Sequence, residues 1–262
     1  MNANSDEPRH DDELTAVVLA AGVGSRMGSH TADQPKCLLE VAPGHTVLGL
    51  QLERLFETGR VARVAVVTGY RHDLIEAYVE RHPYRRAIDL EHNPFYDVSN
   101  NLHSLWLARR RLAHGGLIVN GDDLFHPALL ARALAAPGDV VVTINRKDGY
   151  DPDDMKVRLD GDRLRRIGKD LPLAETDGEA IGVIRVSPTG ARWIADALDE
   201  MVRAGDRKVF YLRAIQRVVD DGLPVHVADI TPIPWAEIDE PRDLAAVRAR
   251  AHDFAPAVRQ VA

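Results

Sequence analysis

Short apolar runs of strand length recur along the chain, and segments with helical spacing lie between them. Thr15–Leu19 is β-branched and apolar and passes into the small, glycine-rich stretch Ala20–Gly28, which predicts a buried strand followed by a loop. Val47–Thr58 carries helical periodicity and stops at Gly59, and Val64–Thr68 is a second buried strand, closed by Gly69. His72–Arg81 predicts a helix ended by Pro83, Asp89–His92 a weaker strand, and Leu102–Leu112 a helix stopped by Gly115-Gly116. Leu117–Asn120 reads as a strand running into Gly121-Asp122-Asp123, with a helix over Pro127–Leu134 and a strand over Val140–Asn145 behind it. Such alternation predicts a mostly parallel sheet with right-handed crossovers.

The pattern changes after about Tyr150. Lys156–Leu159 and Arg163–Ile167 flank Asp160-Gly161, a strong hairpin signal. Ile181–Val186 and Val225–Asp229 read as strands, and Arg192–Val202, Val209–Asp220 and Pro241–Ala251 as helices. The expected fold class is α/β, three-layered and Rossmann-like, with a mostly parallel central sheet and a small, partly antiparallel lobe. A single domain is expected over residues 14–253, divided into halves at 14–150 and 151–253, with tails at 1–13 and 254–262.

Composition narrows the function more than the fold. The 262 residues carry a net charge of -7, which argues against a general nucleic-acid binder but not against a site for one nucleotide. The single cysteine, Cys37, excludes an internal disulfide and leads us to expect a reducing compartment and a core role for the thiol. Residues 1–13 are polar and acidic without the apolar core of a signal peptide, and the longest apolar runs are strand-sized. A cytoplasmic protein without a membrane span is therefore expected.

The most informative segment is Leu19-Ala20-Ala21-Gly22-Val23-Gly24-Ser25-Arg26-Met27, followed by Gln34-Pro35-Lys36. Small residues after a strand let backbone approach a ligand and aim N–H groups at phosphate oxygens. Arg26 adds a planar fork of donors and Lys36 a mobile point charge, a pairing suited to a triphosphate. A dinucleotide fingerprint would need its third glycine one place earlier than Gly28 and an uninterrupted helix, which Pro35 forbids. A Walker A loop would need Gly-Lys-Ser/Thr, which is absent. A plain glycine-rich turn explains the glycines but not Arg26 or Pro35-Lys36.

This segment resembles the signature of the sugar-nucleotidyltransferase superfamily. The chain is most similar to the branch of phosphocholine and phosphonate cytidylyltransferases, on the strength of Asn100-Asn101-Leu102-His103-Ser104-Leu105, Glu179-Ala180-Ile181-Gly182-Val183 and Trp235-Ala236-Glu237-Ile238-Asp239. The resemblance runs from about Thr15 to Leu244. It implies a nucleotidyltransferase fold in which 14–150 binds nucleotide and 151–253 binds the acceptor. It also implies nucleotide contacts by Ala20, Ala21, Gly22, Gly24, Ser25 and Asp122, and Mg²⁺ held by Asp122 and Asp239. Asp122 follows an apolar strand, where open α/β sheets collect ligands. Alone, Asp122 also reads as a turn residue, Asp239 as a helix N-cap ahead of Pro241, and Asp123 as a solvated turn residue.

No Ser/His/Asp or Cys/His set stands out, which fits a reaction needing no general base. A phosphate monoester, with a second pKa near ~6, is already largely dianionic at neutral pH. Arg26 and Lys36 would then neutralise and position the phosphates, and Lys156, on the first strand of the second half, would bring the second anion; an exposed strand lysine is the alternative. Gly69-Tyr70 would approach a pyrimidine, and Asn100 and Ser104 the base or ribose, with helix capping the alternative for Asn100-Asn101. In a chain with 5% aromatics, Glu179, Phe210, Tyr211 and Trp235 are a grouping suited to a cationic tail, against the ordinary fate of such residues in the core. The resemblance implies CTP as nucleotide and phosphocholine, an aminoalkylphosphonate or a hydroxyalkylphosphonate as acceptor. The alternatives are a hexose-1-phosphate nucleotidylyltransferase using UTP, dTTP or GTP, and a catalytically silent nucleotide-binding regulator. Neither nucleic acid nor membrane is an expected partner, and a homodimer is compatible with this reading.

Overall fold

The structure is a computed structural model and describes residues 13–255. The expected tail at 1–13 therefore lies outside the described residues but for Glu13, as does the expected tail at 254–262 beyond Ala255.

The first half contains β1 (Leu14–Ala20), β2 (Glu40–Ala42), β3 (His45–Thr46), α1 (Val47–Glu57), β4 (Val61–Thr68), α2 (His72–Glu80) and β5 (Ile88–His92). There follow α3 (Asn101–Ala108), β6 (Gly116–Asn120), β7 (Asp123–Phe125), α4 (Pro127–Ala135) and β8 (Val140–Asn145). The second half contains β9 (Lys156–Asp160), β10 (Arg163–Gly168), β11 (Gly178–Val186), α5 (Pro188–Arg203), α6 (Leu212–Asp220), β12 (Val225–Asp229), β13 (Trp235–Glu237) and α7 (Pro241–Ala249).

Nine strands form one sheet in the order β5-β4-β1-β6-β11-β8-β12-β10-β9. The β5-β4-β1-β6 part is parallel throughout. β11 enters between β6 and β8 and runs antiparallel to both, so the second half is threaded into the sheet rather than attached beside it. The expected hairpin forms between β9 and β10. The fold is thus the expected three-layer α/β arrangement, with a sheet more mixed than a mostly parallel one.

Alternation along β1 builds the layers: Val17 and Leu19 face one core, Ala16 and Val18 the other. The first face is covered by α3, α5 and α6 through residues such as Leu105, Ile194 and Ile215, the second by α1, α2 and α4 through Leu52, Ile75 and Leu129. A third cluster joins Met27, Leu50, Leu124, Ile238, Leu244 and Phe254. It fixes the glycine-rich loop to the segment bearing Asp239, because Met27 follows Arg26 and Ile238 precedes Asp239. Phe254 is buried there and its carbonyl accepts from Arg54 Nη2 at 2.6 Å, so packing continues past the expected boundary at 253. No helix among the described residues is long and apolar enough to cross a membrane.

Candidate active site

The carboxyl ends of β1, β6 and β8 open into a cleft of about 920 Å³. Ala20, Ala21, Gly22, Gly24, Ser25 and Arg26 line one wall. Ser25–Thr31 turns as a 3-10 helix, interrupted at Gly28, rather than as the long α-helix a dinucleotide loop requires. Gly24 has φ +68°, and a Cβ there would stand 3.3 Å from both Lys36 Cβ and Thr31 Cγ2, so the loop's conformation and its closeness to Lys36 both require glycine.

An unbroken chain of alternating charges crosses the cleft. Lys36 Nζ lies 2.6 Å from Asp122 Oδ2 and 2.8 Å from Asp239 Oδ1. Arg26 Nη2 lies 2.8 Å from Asp239 Oδ2, and Arg26 Nη1 lies 3.2 Å from Asp153 Oδ2. Asp153 Oδ1 in turn meets Lys169 Nζ at 2.6 Å. Arg26, Lys36, Asp122 and Asp239, four residues singled out in the sequence, therefore form one connected group. The Asp122 and Asp239 charges raise the Lys36 ammonium above its ordinary range, overcoming the opposing effect of burial. Asp239 is left available because Glu240, not Asp239, caps α7 in a reciprocal pair with Asp243.

Glu237 joins Asp122 and Asp239 in a carboxylate group whose ligand atoms lie within 4.8 Å of one another. Three hard oxygen donors fit Mg²⁺ better than a softer metal. Lys36 Nζ stands between Asp122 and Asp239, so a metal ion held by both carboxylates would take the place of its ammonium. Glu237 is reached by solvent from the cleft and enclosed on its other sides. That enclosure, then the Asp122 and Asp239 charges, pushes its carboxyl up to about 8. Glu237 is not among the site residues expected from the sequence, although its spacing of two from Asp239 in an extended segment was the available signal.

Asp123 is not the solvated turn residue expected. It begins β7, pairs with Glu237 across to β13 and is 1% exposed, and burial followed by the Asp122 charge pushes its carboxyl well above the usual range. A Cβ on Gly182 would collide with Asp123 Oδ2 and Asn120 Nδ2, so the Glu179–Val183 motif needs glycine at this point.

The expected base contacts divide. Asn100 and Ser104 line the cleft, although Asn100 also caps α3 and Ser104 Oγ accepts from Asn93 Nδ2 at 3.1 Å. Gly69 and Tyr70 are not among the cleft-lining residues. Tyr70 N donates to the Ala21 carbonyl, and its hydroxyl donates to the carbonyls of Thr31 and Ala32, so it braces the glycine-rich loop from behind.

The expected acceptor residues Glu179, Tyr211 and Trp235 all line the cleft, as does Phe210. Tyr211 is also a core residue, 1% exposed, and its hydroxyl has no hydrogen-bond partner among the described residues. Glu179 does not stand alone: Lys147 Nζ lies 2.9 Å from Glu179 Oε2 and 2.7 Å from Asp154 Oδ2. Burial dominates and pushes the Glu179 carboxyl up to about 7 despite Lys147.

Lys156 requires a correction. Its side chain is 1% exposed and turned into the loop before β9, where Nζ donates to the carbonyls of Pro152 at 2.9 Å and Asp154 at 3.3 Å. It is neither an exposed strand lysine nor a lining residue of the cleft. Cys37 is a core residue as expected, with burial pushing its thiol up to about 12.

A profile described as the MobA-like NTP transferase domain matches residues 16–153, more than half of the chain. The chain is 31% identical over 243 residues to a CMP-5'-(3-aminopropyl)phosphonate synthase of Streptomyces rubellomurinus, covering 88% of this chain and 37% of that protein. It is 26% identical over 245 residues to a 2-aminoethylphosphonate cytidylyltransferase of Lancefieldella rimae, covering 90% of this chain and 92% of that one. Among solved structures it is similar to an inositol-1-phosphate CTP transferase from T. maritima, with a TM-score of 0.77, 26% identity, and 94% and 98% of the two chains covered. It spans about a third to a half of the length of the Streptomyces synthase and of two bifunctional transferase–synthases that it also matches. With this match over more than half of its length, the chain belongs to the family of MobA-like NTP transferase domains.

Proposed function

We propose that this protein is a nucleotidyltransferase that moves CMP from CTP to a small phosphonate or phosphate acceptor and releases pyrophosphate. The observation that carries the reading is the charge chain Asp122–Lys36–Asp239–Arg26 at the carboxyl end of the parallel strands, beside a backbone loop open to phosphate. The names of the phosphonate-handling relatives support CTP and a phosphonate acceptor.

In this reading an acceptor oxygen attacks the α-phosphorus of CTP, the new P–O bond forms in line with the α–β anhydride bond, and pyrophosphate leaves. The attacking oxyanion carries no proton to be removed, so the residues have no general-base task. Backbone N–H groups of Ala21–Ser25 orient the triphosphate, while Lys36 and Arg26 leave their carboxylate partners to meet its oxygens. Asp122, Asp239 and Glu237 would hold Mg²⁺, which when bound supplies charge neutralisation of the phosphates and of the leaving pyrophosphate. Asn100 and Ser104, which line the same cleft, would face the nucleoside.

Glu179 and Asp154 with Lys147 sum to two carboxylates and one ammonium, a formal charge of about -1 when all are ionised, which leaves room for one further cation. An aminoalkyl or choline-like tail would fill it, with Trp235 and Phe210 offering aromatic faces. Pyrophosphate release across CTP, UTP, dTTP and GTP, each with 2-aminoethylphosphonate, phosphocholine and glucose 1-phosphate, tests the reading. CTP with one of the first two acceptors should be the productive combination, and activity should disappear on chelation. Turnover with glucose 1-phosphate and UTP or dTTP alone would move the protein to the sugar-phosphate branch.

A further inference from the structure

A loop that binds through its backbone needs something to hold it in shape. Ala20–Gly28 is small and glycine-rich, with Gly24 and Gly28 at positive φ, so its own side chains do little to fix its course. A loop that ordered itself only on the ligand would lose that entropy from the affinity. The contacts that order it come from a separate turn, Gly69-Tyr70-Arg71, between β4 and α2. That turn meets the loop at both ends. At the near end Tyr70 N donates to the Ala21 carbonyl at 3.1 Å, and Gly69 comes so close that a Cβ there would lie 2.6 Å from the Ala21 oxygen. At the far end the Tyr70 hydroxyl donates to the carbonyls of Thr31 at 3.0 Å and Ala32 at 2.6 Å, and Arg71 Nη1 donates to the Asp33 carbonyl. Successive carbonyls are thus held just ahead of Pro35-Lys36. Thr31 carries the restraint inward, because its hydroxyl donates to the Gly24 carbonyl at 2.9 Å.

Arg71 makes its contact at a cost to the backbone. Its φ of 47° and ψ of 44° lie in the left-handed region, and among the described residues no other non-glycine has a positive φ. Glycine would take that conformation freely. Arginine brings a guanidinium instead, and Asp73 grips its Nε at 3.1 Å and Nη2 at 3.0 Å, which leaves Nη1 aimed at the Asp33 carbonyl. Strain of this kind persists where the surroundings over-determine it, and it gathers at functional sites. Gly69, Tyr70 and Arg71 are all absent from the cleft lining, so any effect they have on a ligand passes through the loop.

We propose that Tyr70 and Arg71 are positioning residues that pre-order the glycine-rich loop for a triphosphate, and that the strained backbone at Arg71 is kept for the contact its side chain makes. This rests on the proposed transferase reading and names the residues that set its nucleotide affinity from outside the cleft. The clasp touches no phosphate itself. It fixes Ala21 and the 31–33 carbonyls, and through Thr31 it fixes Gly24, so the N–H groups between them already point into the cleft when the ligand arrives.

Inorganic triphosphate, which carries the phosphates without base or ribose, is the probe beside CTP. Calorimetric titration of the full chain should give roughly five- to tenfold weaker binding of both ligands in Tyr70→Phe, which removes only the hydroxyl. Arg71→Ala loses the guanidinium and keeps the strained backbone, whereas Arg71→Gly loses the guanidinium and the strain together. Both variants should bind the two ligands several-fold more weakly, while the Tm of Arg71→Gly stands above that of Arg71→Ala. A contact that served only the fold would tie affinity to Tm across this pair, so recovery of affinity in Arg71→Gly in step with its Tm would overturn the proposal. Unchanged triphosphate affinity in Tyr70→Phe or in Arg71→Gly would overturn it as well. So would a loss for CTP without one for inorganic triphosphate, which would return Tyr70 to contact with the base. The titration needs no turnover: a protein that shows the expected shifts but whose wild type releases no pyrophosphate from any nucleotide would sink the transferase reading and leave the clasp standing.

Discussion

The two walls of the cleft hold charge by different physical means. The wall from β1 presents mainly backbone, with small residues, a glycine in the left-handed region and N–H groups, and only Arg26 at its end adds a paired side chain. The wall from β9–β11 and the loop before it presents side chains in ion pairs, Lys147 with Asp154 and Glu179, Lys169 with Asp153. A triphosphate is common to every substrate of such an enzyme, and a backbone cradle suits a constant ligand. An acceptor varies, and side-chain pairs can be exchanged one residue at a time without disturbing the sheet. On the proposed function, the reaction would be held in the first wall and the choice of acceptor in the second.

The largest effect that would sharpen this contrast is at Lys36. Lys36→Ala removes the cation that links Asp122 to Asp239, and loss of one preorganised charge contact of this kind costs about 100- to 1,000-fold in kcat. Steady-state kinetics with two acceptors should show the same loss for both. A loss confined to one acceptor would assign Lys36 to the wrong wall.

A smaller effect is expected at Glu179. Glu179→Gln should lower the preference for 2-aminoethylphosphonate over 2-hydroxyethylphosphonate by roughly tenfold, through KM and not kcat. The carboxyl sits near 7 in the folded protein, above its ordinary value, so its protonated form is favoured by folding and stability is lost as pH rises from about 4.5 through 7. The functional sign is opposite: at pH 6 the group is mostly neutral and at pH 8 mostly charged. The amino-over-hydroxyl preference should therefore grow between pH 6 and 8 in the wild type and stay flat in Glu179→Gln. Comparing two acceptors with the same head cancels the titration of the phosphonate itself. A flat profile in both proteins would remove Glu179 from tail recognition.

The smallest effect on catalysis, and one on stability instead, is expected at Lys156. Lys156→Met leaves two loop carbonyls without their donor and should cost about 1–3 kcal/mol, read as a lowered Tm. The kcat should change little at temperatures where the variant is folded. A kcat loss as large as that of Lys36→Ala with an unchanged Tm would return Lys156 to the chemistry.

Much of the first wall was legible in the sequence because its determinants are contiguous. Ala20 to Arg26 must be small, then cationic, within one turn of chain, and Asp122 announces itself at the end of an apolar strand. The second wall was legible as a group of residues but not as a geometry. Lys156 and Lys169 flank the same hairpin and carry the same charge, and only the packing of the β8–β9 loop decides that the first is buried against carbonyls and the second faces the cleft. The insertion of β11 between β6 and β8 is likewise a long-range pairing, invisible to a hairpin signal that reports neighbours in sequence. Gly69-Tyr70 was misplaced for a related reason: the end of a parallel strand marks where ligands gather, but here Tyr70 turns to the back of the glycine-rich loop. Glu237 was hidden because β13 is only three residues long, too short for its alternation to stand out.

Transfer of a cytidylyl group to an anionic acceptor is the step on which the proposed function stands. It is tested most directly by ³¹P NMR of the wild-type protein with CTP, Mg²⁺ and 2-aminoethylphosphonate. The account predicts equimolar growth of free pyrophosphate and of a coupled pair of resonances from a phosphonate–phosphate anhydride, abolished by chelation. Pyrophosphate without the coupled pair would mean hydrolysis rather than transfer, and an unchanged spectrum with both CTP–2-aminoethylphosphonate and CTP–phosphocholine would contradict the account.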